Sequence, residues 1–249
     1  MIEQIDLHQI LFLDIETVSE KATFGELKDN FKSLWETKAK QLLKPAENDI
    51  QEAFFEDSYK NRAAIFAEFG KIVCISVGFI SNKNQEIGAK FKSFANEDEK
   101  QLLSDFSELM NKYYNNPEKQ FICGHNVKEF DVPYICRRMI IHQMALPKMF
   151  DLHGKKPWET KHLLDTMELW KFGDGKAFSS LKLLTAVLDI PSPKDDIDGS
   201  EVGRVFWEEN DLPRIAKYCE KDVLAVMQLL LRFKYQPLLT EEQIVFSSL

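Results

Sequence analysis

The sequence predicts an α/β fold, a mixed β-sheet flanked by helices. Three observations lead there. Apolar, β-branched runs of strand length are separated by amphipathic stretches of helical period. Two of the runs follow one another across a short polar turn, which puts an antiparallel pair into a sheet otherwise connected by helices. The 249 residues, 44% hydrophobic and 29% charged, suit one globular domain, 1–249, with one sizeable core and no repeat or low-complexity tract.

The elements follow in order. Residues 10–14, ILFLD, read as the first strand. From about 20 to 68 the chain is rich in Lys, Glu, Phe and Leu, and FGELKDNFKSLWETKAKQLL carries apolar residues at helical spacing. That is too long for a loop and predicts a helical insertion. KIVCISVGFI (71–80) is a second strand and EIGAKFKSF (86–94) a third, joined by the polar turn SNKNQ into a hairpin. NEDEKQLLSDFSELMNKYY, from Asn96, is an amphipathic helix with an acidic first turn, and FICGHN (121–126) is a short strand ending in polar residues. VPYICRRMIIHQM is a helix with Asp131 and Pro133 at its start. HLLDTMELW is a short strand or a turn of helix, and a helix runs from Ser179 to Leu188. The last helix, Leu212 to Arg232, has a proline in its first turn and Asn210 or Asp211 as its cap.

Composition excludes several classes. No apolar stretch approaches the roughly 18 residues of a membrane span, and the start MIEQIDLHQI lacks the flanks of a signal peptide, so a soluble, cytoplasmic protein is expected. Cys74, Cys123, Cys136 and Cys219 are scattered without a C-x-x-C pair, as small buried hydrophobes are. A net charge of -8 argues against wholesale electrostatic capture of nucleic acid, though not against a local basic patch.

Three short stretches carry chemistry. Asp14 and Glu16 stand two apart on the first strand and therefore share a face. With 40 acidic residues in the chain, one or two Asp-x-Glu pairs would arise by chance, and a solvated strand end explains this one as readily. Asp131, in GHNVKEFDVPYICRR, serves equally well as a helix cap. Tyr218 and Asp222, four apart in YCEKDVLAV, share one face of the last helix and, taken alone, would be a surface pair.

Taken together and in this order, Asp-x-Glu-Thr, Asn-x-x-x-Phe-Asp and Tyr-x-x-x-Asp resemble the three motifs of the DEDD 3′-to-5′ exonuclease superfamily. The tyrosine is that of the DEDDy branch. Asn126 to Asp131, with Pro133 and Tyr134, look most like the proofreading domain of family B DNA polymerases, and a family of stand-alone predicted exonucleases related to that domain is the nearest match. IDGSEV (197–202) is similar to that family too, and the resemblance runs from Ile10 to about Arg232.

The resemblance implies a ribonuclease H-like fold in which Asp14, Glu16, Asp131 and Asp222 converge and hold two divalent cations, Mg²⁺ or Mn²⁺. Physical chemistry agrees: four clustered carboxylates repel unless cations neutralise them, and an all-oxygen site suits these ions. Two ions about 4 Å apart acidify water, orient the scissile phosphate and stabilise the leaving 3′ oxygen. Tyr218 would orient the attacking water, Thr17 and Asn126 would face the terminal nucleotide, and Phe130 or Tyr134 would pack near it. The implied partner is single-stranded nucleic acid with a free 3′ end, DNA favoured, released as nucleoside monophosphates. The alternative is a non-catalytic nucleic-acid-binding or partner-docking domain on the same fold, which would normally have lost an acid.

Further candidates are weaker. Asp165-Thr-Met-Glu168 fits a capping box better than an active-site acid. PKDDIDGSEV, read as a calcium loop, would put Lys194 at the first ligand position, which rejects it. His125 is expected to be held by hydrogen bonds at a strand end. HGKKPWETKH (153–162) with Arg137, Arg138, Lys176 and Lys182 forms either a phosphate-tracking patch or a solvated loop.

Overall fold

In the computed structural model, which describes residues 2–46, 48, 50–83, 86–191 and 197–247, a ten-residue strand β1 (Ile10–Ser19) occupies the interior of a six-stranded sheet. β1 does not stop at Asp14 as its polar continuation suggested. Antiparallel β2 (Gly70–Lys83) pairs with it as far as Ser19, with a register shift between Glu16 and Thr17, so the ladder supplies backbone partners where the side chains turn polar. β3 (Glu86–Ala95) completes the expected hairpin, whose tip at residues 84–85 lies outside the described residues. On the other flank β4 (Phe121–Gly124) and β5 (Leu163–Asp165) run parallel, and β6 (Ile244–Phe246) closes the far edge on β3, giving the order β5-β4-β1-β2-β3-β6.

Between β1 and β2 the chain forms α1 (Asp29–Leu43) and α2 (Glu52–Arg62) around a cluster of its own, Phe24, Leu27, Trp35, Ala39, Phe55 and Tyr59. Trp35 is fully buried there, donating Nε1–H to Ser58 Oγ at 3.1 Å and meeting Tyr59 edge-on at 5.4 Å. The segment returns to the sheet at Gly70, where an added Cβ would collide with the Tyr134 hydroxyl and the Val18 carbonyl.

α3 (Glu99–Tyr113) starts where Asp98 accepts from the Lys100 and Gln101 amides at 3.0 and 3.2 Å. With α4 (Asp131–Ile141) it covers one sheet face, where Leu11, Leu13 and Ile15 meet Leu103, Phe106, Ile135 and Met139. HLLDTMELW becomes both β5 and α5 (Thr166–Lys171), and α6 (Leu181–Val187) follows, capped by Ser180. A short α7 (Val202–Arg204) and a π-turn at Val205–Glu209 precede α8 (Leu212–Phe233), which Asp211 caps and Pro213 opens. α8 covers the opposite face, where Ile10 and Phe12 meet Val223, Val226, Met227 and Leu230. No described helix is long and apolar enough to cross a membrane.

Candidate active site

The alternation of β1 fixes the first two acids. Asp14 and Glu16 continue the row begun by Ile10 and Phe12, so both project towards α8. There they meet Cys219, and one ligand atom from each of Asp14, Glu16 and Cys219 falls within 4.8 Å of the others. The Cys219 thiol donates to Asp14 Oδ2 and to the Asp14 carbonyl, each at 3.4 Å. Cys219 and Cys74, the β2 residue opposite Glu16, are buried as expected of small hydrophobes. In the sequence, only its place beside Tyr218 hints that Cys219 touches an acid.

Asp131 arrives from the other layer. β4 pairs with β1 only at Ile10–Phe12, which leaves the edge of β1 uncovered beyond it. Gly124 ends β4, where a Cβ would lie 2.7 Å from the Val127 side chain and 3.0 Å from the Leu13 carbonyl. The chain then turns through Asn126, in the left-handed region at φ 64°, and enters α4 at Asp131. Asp131 is the first helical residue rather than the cap, and its buried carboxylate accepts the backbone N–H of Ile15, beside the β1 row.

The electrostatics bind the group together. Burial raises the Asp14 carboxyl well above the usual carboxylate range, and Asp131, Glu16 and Asp222 push it further; the Cys219 thiol opposes them. Glu16 is raised by burial and by Asp222, Cys74 and Asp131. Asp131 is lifted by burial to about 7, against the hydrogen bonds from its own amide and Ile15, with Asp165 and Asp222 adding to the rise. Tyr218 stays protonated at neutral pH: burial and then Asp222, Glu16 and Asp14 raise it, and its hydroxyl hydrogen-bonds Asp222 one turn along α8. The charged neighbours governing Asp14 and Glu16 are acids and thiols. A set of carboxylate oxygens held in that state fits a hard divalent cation, which removes the repulsion.

The other expected residues divide. Asn126 keeps its Oδ1 buried without a hydrogen-bond partner. Thr17 points its hydroxyl at the Ala64 carbonyl, 2.9 Å away, sharing that acceptor with the Tyr134 hydroxyl, also at 2.9 Å. Tyr134 is therefore core, and the partly buried Phe130 leans on it at 5.5 Å. Asp165 is a cap, as expected, accepting from the Met167 and Glu168 amides. It also holds the Asn126 and Lys128 amides at 3.0 and 3.1 Å, while Glu168 pairs with Lys128 instead of closing a capping box. His125 lies 3.0 Å from Thr166 Oγ1 and donates Nε2–H to the Ser179 carbonyl at 2.9 Å, away from the acids.

The basic cluster does not hold together as one patch. Arg138 is buried, its guanidinium on Glu99, Glu20 and the Ala67 carbonyl, and His162 is buried against the Met149 carbonyl. Sequence alone does not show which arginine of the Arg137–Arg138 pair faces inward. Lys194, on which the calcium-loop argument turned, lies outside the described residues.

Comparison with known proteins bears on the fold and on the family. Among solved structures, the family B DNA polymerase from the hyperthermophilic archaeon Pyrobaculum calidifontis matches with a TM-score of 0.53 at 14% identity, over 90% of this chain. The chain spans 24% of that polymerase, and the likeness establishes a ribonuclease H-like fold. No curated protein matches. The family described as "Predicted 3'-5' exonuclease related to the exonuclease domain of PolB" matches residues 65–245, a span that contains Asp131, Tyr218 and Asp222 but begins after Asp14 and Glu16. The chain therefore belongs to the family of predicted 3′-5′ exonucleases related to the exonuclease domain of PolB.

Proposed function

We propose that the protein is a metal-dependent 3′-to-5′ exonuclease that hydrolyses phosphodiester bonds at the 3′ end of single-stranded nucleic acid, DNA favoured, and releases nucleoside monophosphates. The observation that carries this reading is the convergence of Asp14 and Glu16 from β1, Asp131 from α4 and Asp222 from α8 into one mutually repelling group with acids and thiols for neighbours. Asp14, Glu16, Asp131 and Asp222 would hold two divalent cations, Mg²⁺ or Mn²⁺. When bound, such ions supply positive charge against the scissile phosphate and lower the pKa of water.

The chain's own groups supply the rest. Tyr218, protonated and resting on Asp222, is suited to orient a water by its hydroxyl and unsuited to act as a base. Asn126 offers its unpartnered Oδ1 to the terminal nucleotide, with Phe130 and Thr17 alongside it. The insertion at about 20–68, part of one domain spanning 1–249, acts as a flap; its return point, Ala64, is tied to Thr17 immediately beyond the acid row.

The test is a time course on matched 5′-labelled DNA and RNA single strands with Mg²⁺ or Mn²⁺. Stepwise shortening from the 3′ end, abolished in Asp222→Asn, is expected. Intact strands that are nevertheless bound would favour the alternative of a non-catalytic binding domain, and internal cuts would point to an endonuclease.

A further inference from the structure

The connection from α5 to α6 exposes more aromatic surface than its neighbourhood explains. Phe172 is 91% exposed and Phe178 is 69% exposed. Phe172 closes α5 in the left-handed region at φ 46°, where a bulky L-residue is an outlier, and Gly173 follows at φ 88°. That backbone holds the ring out in solvent. The Lys171 ammonium lies over the Phe178 ring at 4.2 Å, linking the two ends of the connection by a cation–π contact.

Two further observations say what such a surface takes. In a chain of net charge -8, the fourteen-residue stretch 169–182 contains Lys171, Lys176 and Lys182 against a single acid, Asp174. That acid, itself exposed, is engaged within the loop, accepting the Lys176 amide at 3.0 Å. The connection is also fastened to the candidate site: Ser179, next to Phe178, accepts from His125, and His125 precedes Asn126 in the turn that delivers Asp131.

We propose that Phe172 and Phe178, flanked by Lys171, Lys176 and Lys182, form a stacking platform for the single strand, binding bases upstream of the 3′ terminus while the lysines follow the phosphates. This rests on the exonuclease reading and deepens it. Aromatic faces accept any base, so the platform binds single strands without sequence preference and excludes duplex, whose bases are already stacked.

The test is anisotropy of a 5′-fluorescein oligo-dT of about 12 nucleotides, with Ca²⁺ in place of Mg²⁺, on the full-length protein. Phe172→Ala/Phe178→Ala, which removes two stacking rings, is expected to weaken binding roughly thirtyfold or more, and Phe172→Trp/Phe178→Trp to retain it. Replacing the three lysines with alanine is expected to flatten the dependence of log affinity on log salt by about 2, at ~0.7 per single-strand phosphate contact. An unaltered Mn²⁺-induced rise in melting temperature certifies that each variant is folded with its acid cluster intact. Affinity of the double alanine variant within twofold of wild type overturns the platform. A change of oligomeric state at unchanged affinity overturns it too, reassigning the rings to a protein contact. If wild type shortens strands and the variant binds normally, the platform alone falls; if wild type neither binds nor shortens any strand, the exonuclease reading falls with it.

Discussion

Asp14→Asn is expected to stabilise the metal-free protein, the reverse of the usual effect of a substitution in a packed interior. Asp14 and Glu16 offer ligand atoms within 4.8 Å of one another. At that separation two unit charges repel by about 3 kcal/mol at an effective dielectric of about 20. Asp14 is partly exposed, so solvent screening reduces the relief to about 1–2 kcal/mol. Asparagine preserves the shape and still accepts the Cys219 thiol. Because burial and neighbouring acids raise the carboxyl in the folded chain, wild type loses stability as pH climbs from the ordinary carboxyl value of about 4 through neutrality. Asp14→Asn lacks that loss, and its advantage grows from pH 5 to pH 8. Thermal melts in EDTA should show the variant about 2–8 °C higher at pH 8, at ~2–4 °C per kcal/mol for a domain of this size, with little difference at pH 5. With Mn²⁺ at about 100 times its dissociation constant, wild type gains ~2.7 kcal/mol by mass action and the order inverts. A variant that melts below wild type in EDTA at pH 8, or that gains as much from Mn²⁺, would refute the reasoning.

Three other outcomes follow from the same contacts. Tyr218→Phe keeps the ring and its packing, so it should fold and show a normal Mn²⁺ shift while turnover drops roughly ten- to a thousandfold, about 1.4 to 4 kcal/mol of transition-state stabilisation; wild-type turnover would make the hydroxyl structural. Glu99→Gln leaves the Arg138 guanidinium, 5% exposed, without its buried counter-charge. Urea unfolding should report a loss of about 3–5 kcal/mol, partly recovered in Glu99→Gln/Arg138→Met, and a loss under 1 kcal/mol would mean that Glu20 suffices as partner. Thr17→Val removes one of two hydrogen bonds to the Ala64 carbonyl and should cost about 0.5–1.5 kcal/mol in the same assay, because Tyr134 still satisfies that acceptor.

The elements legible in the sequence are those whose ends are decided locally. α3 and α8 begin at Asp98 and Asp211, side chains that bond amides two or three residues away, and their periodicity needs no partner to be seen. β6 and the π-turn were not legible. Ile244–Phe246 has two exposed residues in three, and only pairing with Ala89–Phe91 makes it a strand. The end of β1 was misjudged for the same reason. Thr17–Ser19 look like the start of a loop, yet β2 runs alongside and satisfies their backbone. Arg138 was assigned to the surface because its partners, Glu99 and Glu20, come from distant segments that no local pattern brings together.

The acid cluster was legible to a degree that depends on what each residue contributes. Strand parity alone places Asp14 beside Glu16, and helix periodicity alone places Tyr218 above Asp222. Neither rule brings the two pairs together, and neither reaches Asp131, which belongs to the opposite layer. What joins them is the shortness of β4. Had it extended past Gly124 along β1, its ladder would have occupied the edge where Ile15 now gives its N–H to Asp131. The Asp131 carboxylate takes a hydrogen bond from the Ile15 backbone there, and burying it beside two other acids creates the repulsion that a bound cation would relieve. Cys219 fits the same logic. A thiol is a small, apolar group that can still donate weakly to Asp14, so it passes for core in the sequence and touches the acids only in three dimensions.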